Sequence, residues 1–326
     1  MNNINSKKIH FQNFYFNLSI FAALTLIGTF LLKIFGNEAI SNDANNYFDL
    51  FERLSNSGLQ ESLIRELTEP GYLYISWLAS KVFSPSSIFF LAGFLPLLYK
   101  LYLLRKLEYG IIAIFLYFLL FLPIQEANQI RGALASCFIL YSLLYVPKTS
   151  RSYIYLALFS SLFHYSGIII VAFFFLDKFK SNIPAILAII FFGIFWNWLI
   201  SNIALFSFLG HQMSGEEIGV NFTSPIFILH LLTVIAICIM FKDLNYMQRK
   251  GFHLILIGLL VYVVFSDTPV IAHRIRELSL LGLIPVLFFQ TKTSYSFLFI
   301  CTTAFLVSFY SAYMNYSEVF SYYSVF

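Results

Sequence analysis

The chain is 326 residues long, 59% hydrophobic and 20% aromatic, with only 11% charged residues and a mean hydropathy of +0.79. No water-soluble core needs that much apolar surface, so the composition excludes a soluble protein and indicates a polytopic helical membrane protein. The net charge of +4 comes from Lys and Arg scattered at the ends of apolar runs. It reads as a topology signal and excludes a nucleic-acid-binding patch.

In chain order, residues 1–36 (MNNINSKKIHFQNFYFNLSIFAALTLIGTFLLKIFG) are basic and then apolar. The apolar part, about 20 residues, is too long for a signal-peptide core and no small-residue cleavage site follows, so a retained first span is expected over 14–35. Residues 36–70 form a polar loop rich in acids. Residues 71–83 (GYLYISWLASKVF) are too short to cross, covering about 20 Å against about 30 Å of hydrocarbon. Tyr72, Tyr74 and Trp77 suit an interfacial or half-span helix. Further spans are expected over 86–104, 109–122, 129–146, 152–177, 183–200, 225–241, 252–267, 277–290 and 294–312. The apolar runs are continuous rather than alternating, which disfavours a β-barrel. The expectation is an all-α integral membrane protein with about 10–11 transmembrane helices, a single domain over 1–326. Cys137, Cys238 and Cys301 lie in apolar segments without metal spacing and read as packing residues.

Charges select the topology. Lys7/Lys8, Arg105/Lys106, Lys148/Arg151, Lys178/Lys180, Lys242/Arg249/Lys250 and Lys292 look cytoplasmic, and the acid-rich 36–70 loop looks external. All clusters lie inside only if 71–83 does not cross and 152–177 rises and returns, turning near His164 to Gly167. The competing layout lets 71–83 cross and 152–177 pass straight through. The first layout opens the 36–70 loop, Arg131, His164 and the 267–277 loop to one external face.

Several polar residues stand where a membrane protein pays for them. Glu61, Arg65 and Glu66 read as ordinary helix pairs. Glu69 precedes Pro70-Gly71 at the membrane entrance, where a carboxylate can cap the next helix, act as a base or bind sugar hydroxyls. Asp43 lies in a polar turn, SNDANNYFDLF, with the same alternatives. Arg131 sits one turn into a span, where it either anchors to headgroups or grips phosphate through its planar fork. Gln129 and Glu126 beside it suit a lined polar site. His164, in the middle of an apolar stretch, is either a satisfied core residue or an acid/base group in the external cavity. Arg274 and Arg276 are two apart and diverge on a helix, so only one is expected to face a shared site, with Arg274 favoured. No HExxH, DxD or Cys pattern supports a metal site.

The ordered segments SNDANNYFDLF, TEPGYLYISWLASKVF, NQIRGALASCFILYSL, LFSSLFHYSGIIIVAFFFL and AHRIRELSLL resemble the EpsG-type, Wzy-like polymerases of bacterial surface polysaccharides over roughly residues 40 to 285. The resemblance implies a GT-C-like glycosyltransferase, multi-pass in the bacterial inner membrane, with its active site facing the periplasm or exterior. It would join undecaprenyl-diphosphate-linked oligosaccharide repeat units, donor to acceptor, as in O-antigen, capsule or exopolysaccharide assembly, without a cofactor or metal and with inversion. Membrane lipid and a chain-length regulator protein are the other expected partners, with no nucleic acid. Carried onto matching positions, Glu69, His164 and Asp43 become the groups available for catalysis. Arg131 and Arg274, with Arg276 as the alternative in the doubled AHRIRE arginines, would bind diphosphate. Gln129 and Tyr72 would bind sugar. The rival readings are a lipid-linked oligosaccharide translocator, which more often shows internal repeats, and a membrane O-acyltransferase acting on surface glycans.

Overall fold

The computed structural model describes residues 44–66, 68–85, 87–107, 110–122, 129–147, 150–176, 220–239 and 244–288, with scattered positions between 187 and 202. The expected spans at 14–35 and 294–312, almost all of 183–200, and Asp43 lie outside the described residues. Within them all regular structure is helical.

The acid-rich loop folds as α1 (Ala44–Asn56) and α2 (Leu59–Arg65). Tyr47, Leu50, Phe51 and Leu54 recur on one face of α1 at helical spacing and pack against Tyr72, Leu73 and Ala79 of α3 (Pro70–Ser80). Pro70 opens α3 at its first position, where a missing N–H costs nothing. Lys81, just past α3, donates through Nζ to the carbonyls of Leu54 (3.1 Å), Ser55 (2.8 Å) and Ser57 (3.0 Å). Trp77 Nε1 donates to the Ser57 carbonyl at 3.2 Å. The exposed C-terminal carbonyls of α1 are thereby satisfied by α3. Glu66 pairs with Arg53 of α1 through two bonds of 2.9 and 3.2 Å, across elements rather than within the helix.

A π-helical turn, Phe90–Phe94, leads into α4 (Leu95–Leu104), followed by α5 (Gly110–Leu120) and α6 (Ile130–Tyr145). Helix α6 is central. Its buried Ile139, Leu140, Leu143 and Leu144 join the main core, while Ile130 joins the α1–α3 cluster. Next comes α7 (Ser152–Phe163), which ends at His164 in extended backbone. One 3₁₀ turn, Tyr165–Ile169, reverses the chain into α8 (Ile170–Leu176). The reversal is fixed at both ends. Near the open end the rings of Tyr153 and Phe173 lie 5.8 Å apart. At the turn a Cβ on Gly167 would lie 2.8 Å from the Ser160 backbone carbon, so the close approach requires glycine. The hairpin expected from the charge pattern is therefore present in the backbone.

Beyond it lie α9 (Pro225–Ile239), α10 (Tyr246–Val264), α11 (Pro269–Ser279) and α12 (Leu283–Phe288). Among the described residues α10 alone is long and apolar enough to cross a membrane; α6, α7 and α9 are shorter apolar helices. Helix α10 starts six residues before the expected span at 252. Asn245 and Gln248 form a capping box there, with reciprocal bonds of 3.0 and 2.9 Å, which starts a helix ahead of the apolar run. The expected span at 277–290 is instead the end of α11, a 3₁₀ turn at Leu280–Gly282, and α12. Lys250, expected at a cytoplasmic surface, is 1% exposed. Its Nζ donates to the carbonyls of Ser142 (2.7 Å) and Val146 (3.0 Å), between the rings of Tyr153 and Tyr246. It caps the C-terminal end of α6, where a cation also complements the helix dipole.

Candidate functional site

The opposite end of α6 carries the polar cluster, about 20 Å from Lys250 at 1.5 Å per residue. Gln129 occupies the N-cap position but makes no side-chain capping bond. Its Nε2 donates instead to Glu277 Oε2 of α11 at 3.2 Å. Glu69, the N-cap residue of α3, likewise makes no capping bond. Both side chains are diverted from local helix chemistry to long-range partners, so Glu69 does not cap α3.

Glu69 is 2% exposed and both its oxygens are engaged. Oε2 accepts from Arg131 Nη1 at 2.7 Å and from Thr68 Oγ1 at 3.0 Å. The same Nη1 donates to Thr68 Oγ1 at 3.0 Å, closing a three-membered ring of bonds. Oε1 faces His164 Nδ1 at 2.8 Å. Burial alone would raise the Glu69 carboxyl, but the His164 hydrogen bond and the charge of Arg131 outweigh it and hold the group well below the usual carboxylate range. An ionised carboxylate only accepts, so His164 Nδ1 is the donor, and the neutral ring presents Nε2 as its lone-pair nitrogen.

Backbone shape produces these distances. A Cβ on Gly71 would meet Leu162 O at 2.8 Å and Leu162 Cβ at 2.9 Å, so glycine there lets the start of α3 press against the end of α7. Glu69 lies two residues before that contact and His164 two residues after it. The break in the helix at His164 then turns the imidazole into the cluster at 5% exposure. Arg131 is the open member, with its side chain 24% exposed. The rings of Tyr47 and Tyr72 flank its guanidinium at 5.9 Å each. A lone buried charge in this region would cost several kcal/mol; the pairing, the rings and Thr68 offset that.

The two arginines of α11 separate as a spacing of two requires. Arg274 lies close enough to the cluster for its charge to bear on His164. It has no hydrogen-bond or ion-pair partner among the described residues. Arg276 turns to the other side, 7% exposed, with its guanidinium 4.4 Å from the ring centre of Tyr262. Tyr72 is fully buried beneath Arg131, so it supports the guanidinium rather than facing a sugar. Glu69, Arg131, His164, Gln129 and Arg274 thus come together; Arg276 and the hydroxyl face of Tyr72 do not. The sequence reading gave no role to Thr68, Tyr47 or Glu277. Thr68 stands directly before Glu69, Tyr47 begins the apolar stripe of α1, and Glu277 follows Arg274 by one turn. Among the described residues no group of His, Cys, Asp and Glu could hold a metal ion.

Fold and site define a helical membrane protein whose buried acid–arginine–histidine cluster is assembled from three separated segments and faced by a further arginine. The chain belongs to the EpsG family, whose model matches residues 21–325. Neither the curated proteins nor the solved structures compared with it contain a match.

Proposed function

We propose that the protein is a polysaccharide polymerase of glycosyltransferase type, GT-C-like, joining undecaprenyl-diphosphate-linked oligosaccharide repeat units at the outer face of the bacterial inner membrane. The observation that carries this reading is the Glu69–His164 pair beside two arginines, in a chain of the EpsG family. In the reaction, an acceptor sugar hydroxyl attacks the anomeric carbon of the donor glycan. The bond from that carbon to the diphosphate oxygen breaks, and the configuration inverts. The hydroxyl proton passes to His164 Nε2, the nitrogen that Glu69 leaves with its lone pair. Glu69 is the positioning residue: with both oxygens engaged and its carboxyl strongly acidic, it is a poor base. The leaving diphosphate gathers charge as the bond breaks, and Arg274, with the open side of Arg131, stabilises it. Gln129 and Glu277 are the nearest polar pair for sugar hydroxyls.

The test is complementation of a deletion strain with Arg131→Ala, Glu69→Ala and His164→Ala, reading the glycan on the surface lipid. Loss of polymerase leaves core lipid bearing a single repeat unit. Loss of a translocator leaves no surface repeats, and full-length chains from all three variants would overturn the site.

A further inference from the structure

A cleft of about 490 Å³ opens between α3, the π turn and α4, α6 and α7. Its walls are apolar and aromatic, including Ile75, Leu95, Leu134, Phe138, Tyr141 and Phe163. The volume lies in the range of small-ligand sites, whose linings are mostly apolar with polar groups at one end. Three of its walls start in the polar cluster. Leu134, Phe138 and Tyr141 follow Arg131 at i+3, i+7 and i+10 on one face of α6, so the stripe runs about 15 Å away from the guanidinium. Phe163 directly precedes His164, and Ile75 lies on the helix that Glu69 begins. Leu95 and Tyr141 at the rim are among the exposed large hydrophobic residues, so the cleft is open at the side of the helical bundle.

Among the described residues, an apolar cleft of this size at the side of the bundle has room for a hydrocarbon chain. Its lining is apolar and aromatic, and Arg131 precedes Leu134 by one turn on the same face of α6. We propose that the cleft holds the first isoprenyl units of a polyprenyl diphosphate whose head lies at Arg131 and Arg274. The commitment to a prenyl chain rests on the polymerase reading above, since two guanidiniums complement a diphosphate better than a single phosphodiester. The open side lets the chain enter from the bilayer while the head remains at the polar end.

The test uses the full chain in nanodiscs and a farnesyl diphosphate carrying a benzophenone at its far end. Photolysis is expected to label residues of 134–141 or 95–99, with competition by unlabelled polyprenyl diphosphate and none by excess phosphatidylglycerol. Leu134→Trp fills the cleft and is expected to weaken farnesyl diphosphate binding by about tenfold or more, with inorganic diphosphate binding unchanged. Leu95→Trp, at the exposed rim, is a second variant that leaves the core intact and should weaken it in the same sense. Labelling elsewhere, equal competition by phosphatidylglycerol, or unchanged affinity in both variants would overturn the proposal. These readouts involve no glycan transfer. Failed polymerisation with prenyl binding intact would count against the polymerase reading alone, and failed prenyl binding with polymerisation intact against the cleft alone.

Discussion

Glu69 and His164 stand 95 residues apart in the chain, yet the Oε1 of one and the Nδ1 of the other are 2.8 Å apart. Arg131 closes on the same carboxylate from a third segment at 2.7 Å. One buried acid therefore staples α3, α6 and the α7–α8 hairpin, so its loss is expected to have structural consequences.

Glu69→Ala strands the guanidinium of Arg131 and releases His164, a change expected to cost about 3–5 kcal/mol. Glu69→Gln keeps an acceptor for Nδ1 and should cost less, while still ending chain extension. Unfolding midpoints in detergent would rank wild type above Gln and Gln above Ala; identical midpoints for wild type and Glu69→Ala would refute the staple.

The same carboxyl gives a pH signature. Its folded value lies below the ordinary value of 4.5, so its contribution is fully present above that value and declines as pH falls towards the depressed folded value. The stability difference between wild type and Glu69→Gln should be flat from about pH 5 to 8 and shrink on acidification below about 4.5. Growth of the difference on acidification would show that the carboxyl is not held ionised.

Two glycines should respond oppositely. Gly71→Ala drives a Cβ into the Leu162 backbone and should separate Glu69 from His164, at about 1–3 kcal/mol and with loss of transfer. A Cβ on Gly132 meets His164 Cδ2 and Gln129 Cβ at 3.7 Å, an ordinary contact, so Gly132→Ala should stay within about 0.5 kcal/mol of wild type. Paired unfolding and chain-extension assays would check the contrast.

Arg274→Ala should lower transfer by about a hundredfold or more while barely moving the midpoint, because in the proposed reaction it stabilises the leaving group and it has no hydrogen-bond or ion-pair partner among the described residues. Arg276→Ala should do the reverse, losing about 2 kcal/mol through its contact with Tyr262 while transfer per folded molecule persists. If Arg276→Ala abolished transfer at an unchanged midpoint, the assignment of the two arginines would have to be exchanged.

Much of this was legible in the sequence because charge in an apolar chain is conspicuous. Glu69, Gln129, Arg131, His164 and Arg274 each stood out against hydrophobic neighbours, and placing every basic cluster on one side called for a reversal near His164. What remained hidden depends on contact between distant segments. Nothing local distinguishes a Glu that caps α3 from one that reaches Arg131, and the difference arises from the approach of α3 to α7 at Gly71. The burial of Tyr72 and the inward turn of Lys250 were missed for the same reason: a tyrosine near an interface and a lysine at a span end look exposed until a neighbouring helix covers them. The capping box at Asn245 was readable, and it displaced the expected start of α10 because polar capping chemistry precedes the apolar run.

Lys81 and Trp77 tie the far end of α1 to α3, so the acid-rich segment behaves as a fixed wall rather than a hinged flap. Traffic to Glu69 is then expected to pass between helices, with no uncovering step to set the pace. A chemical cross-link between α1 and α3 should leave the rate of chain growth unchanged, whereas one bridging the rim between α4 and α6 should slow it.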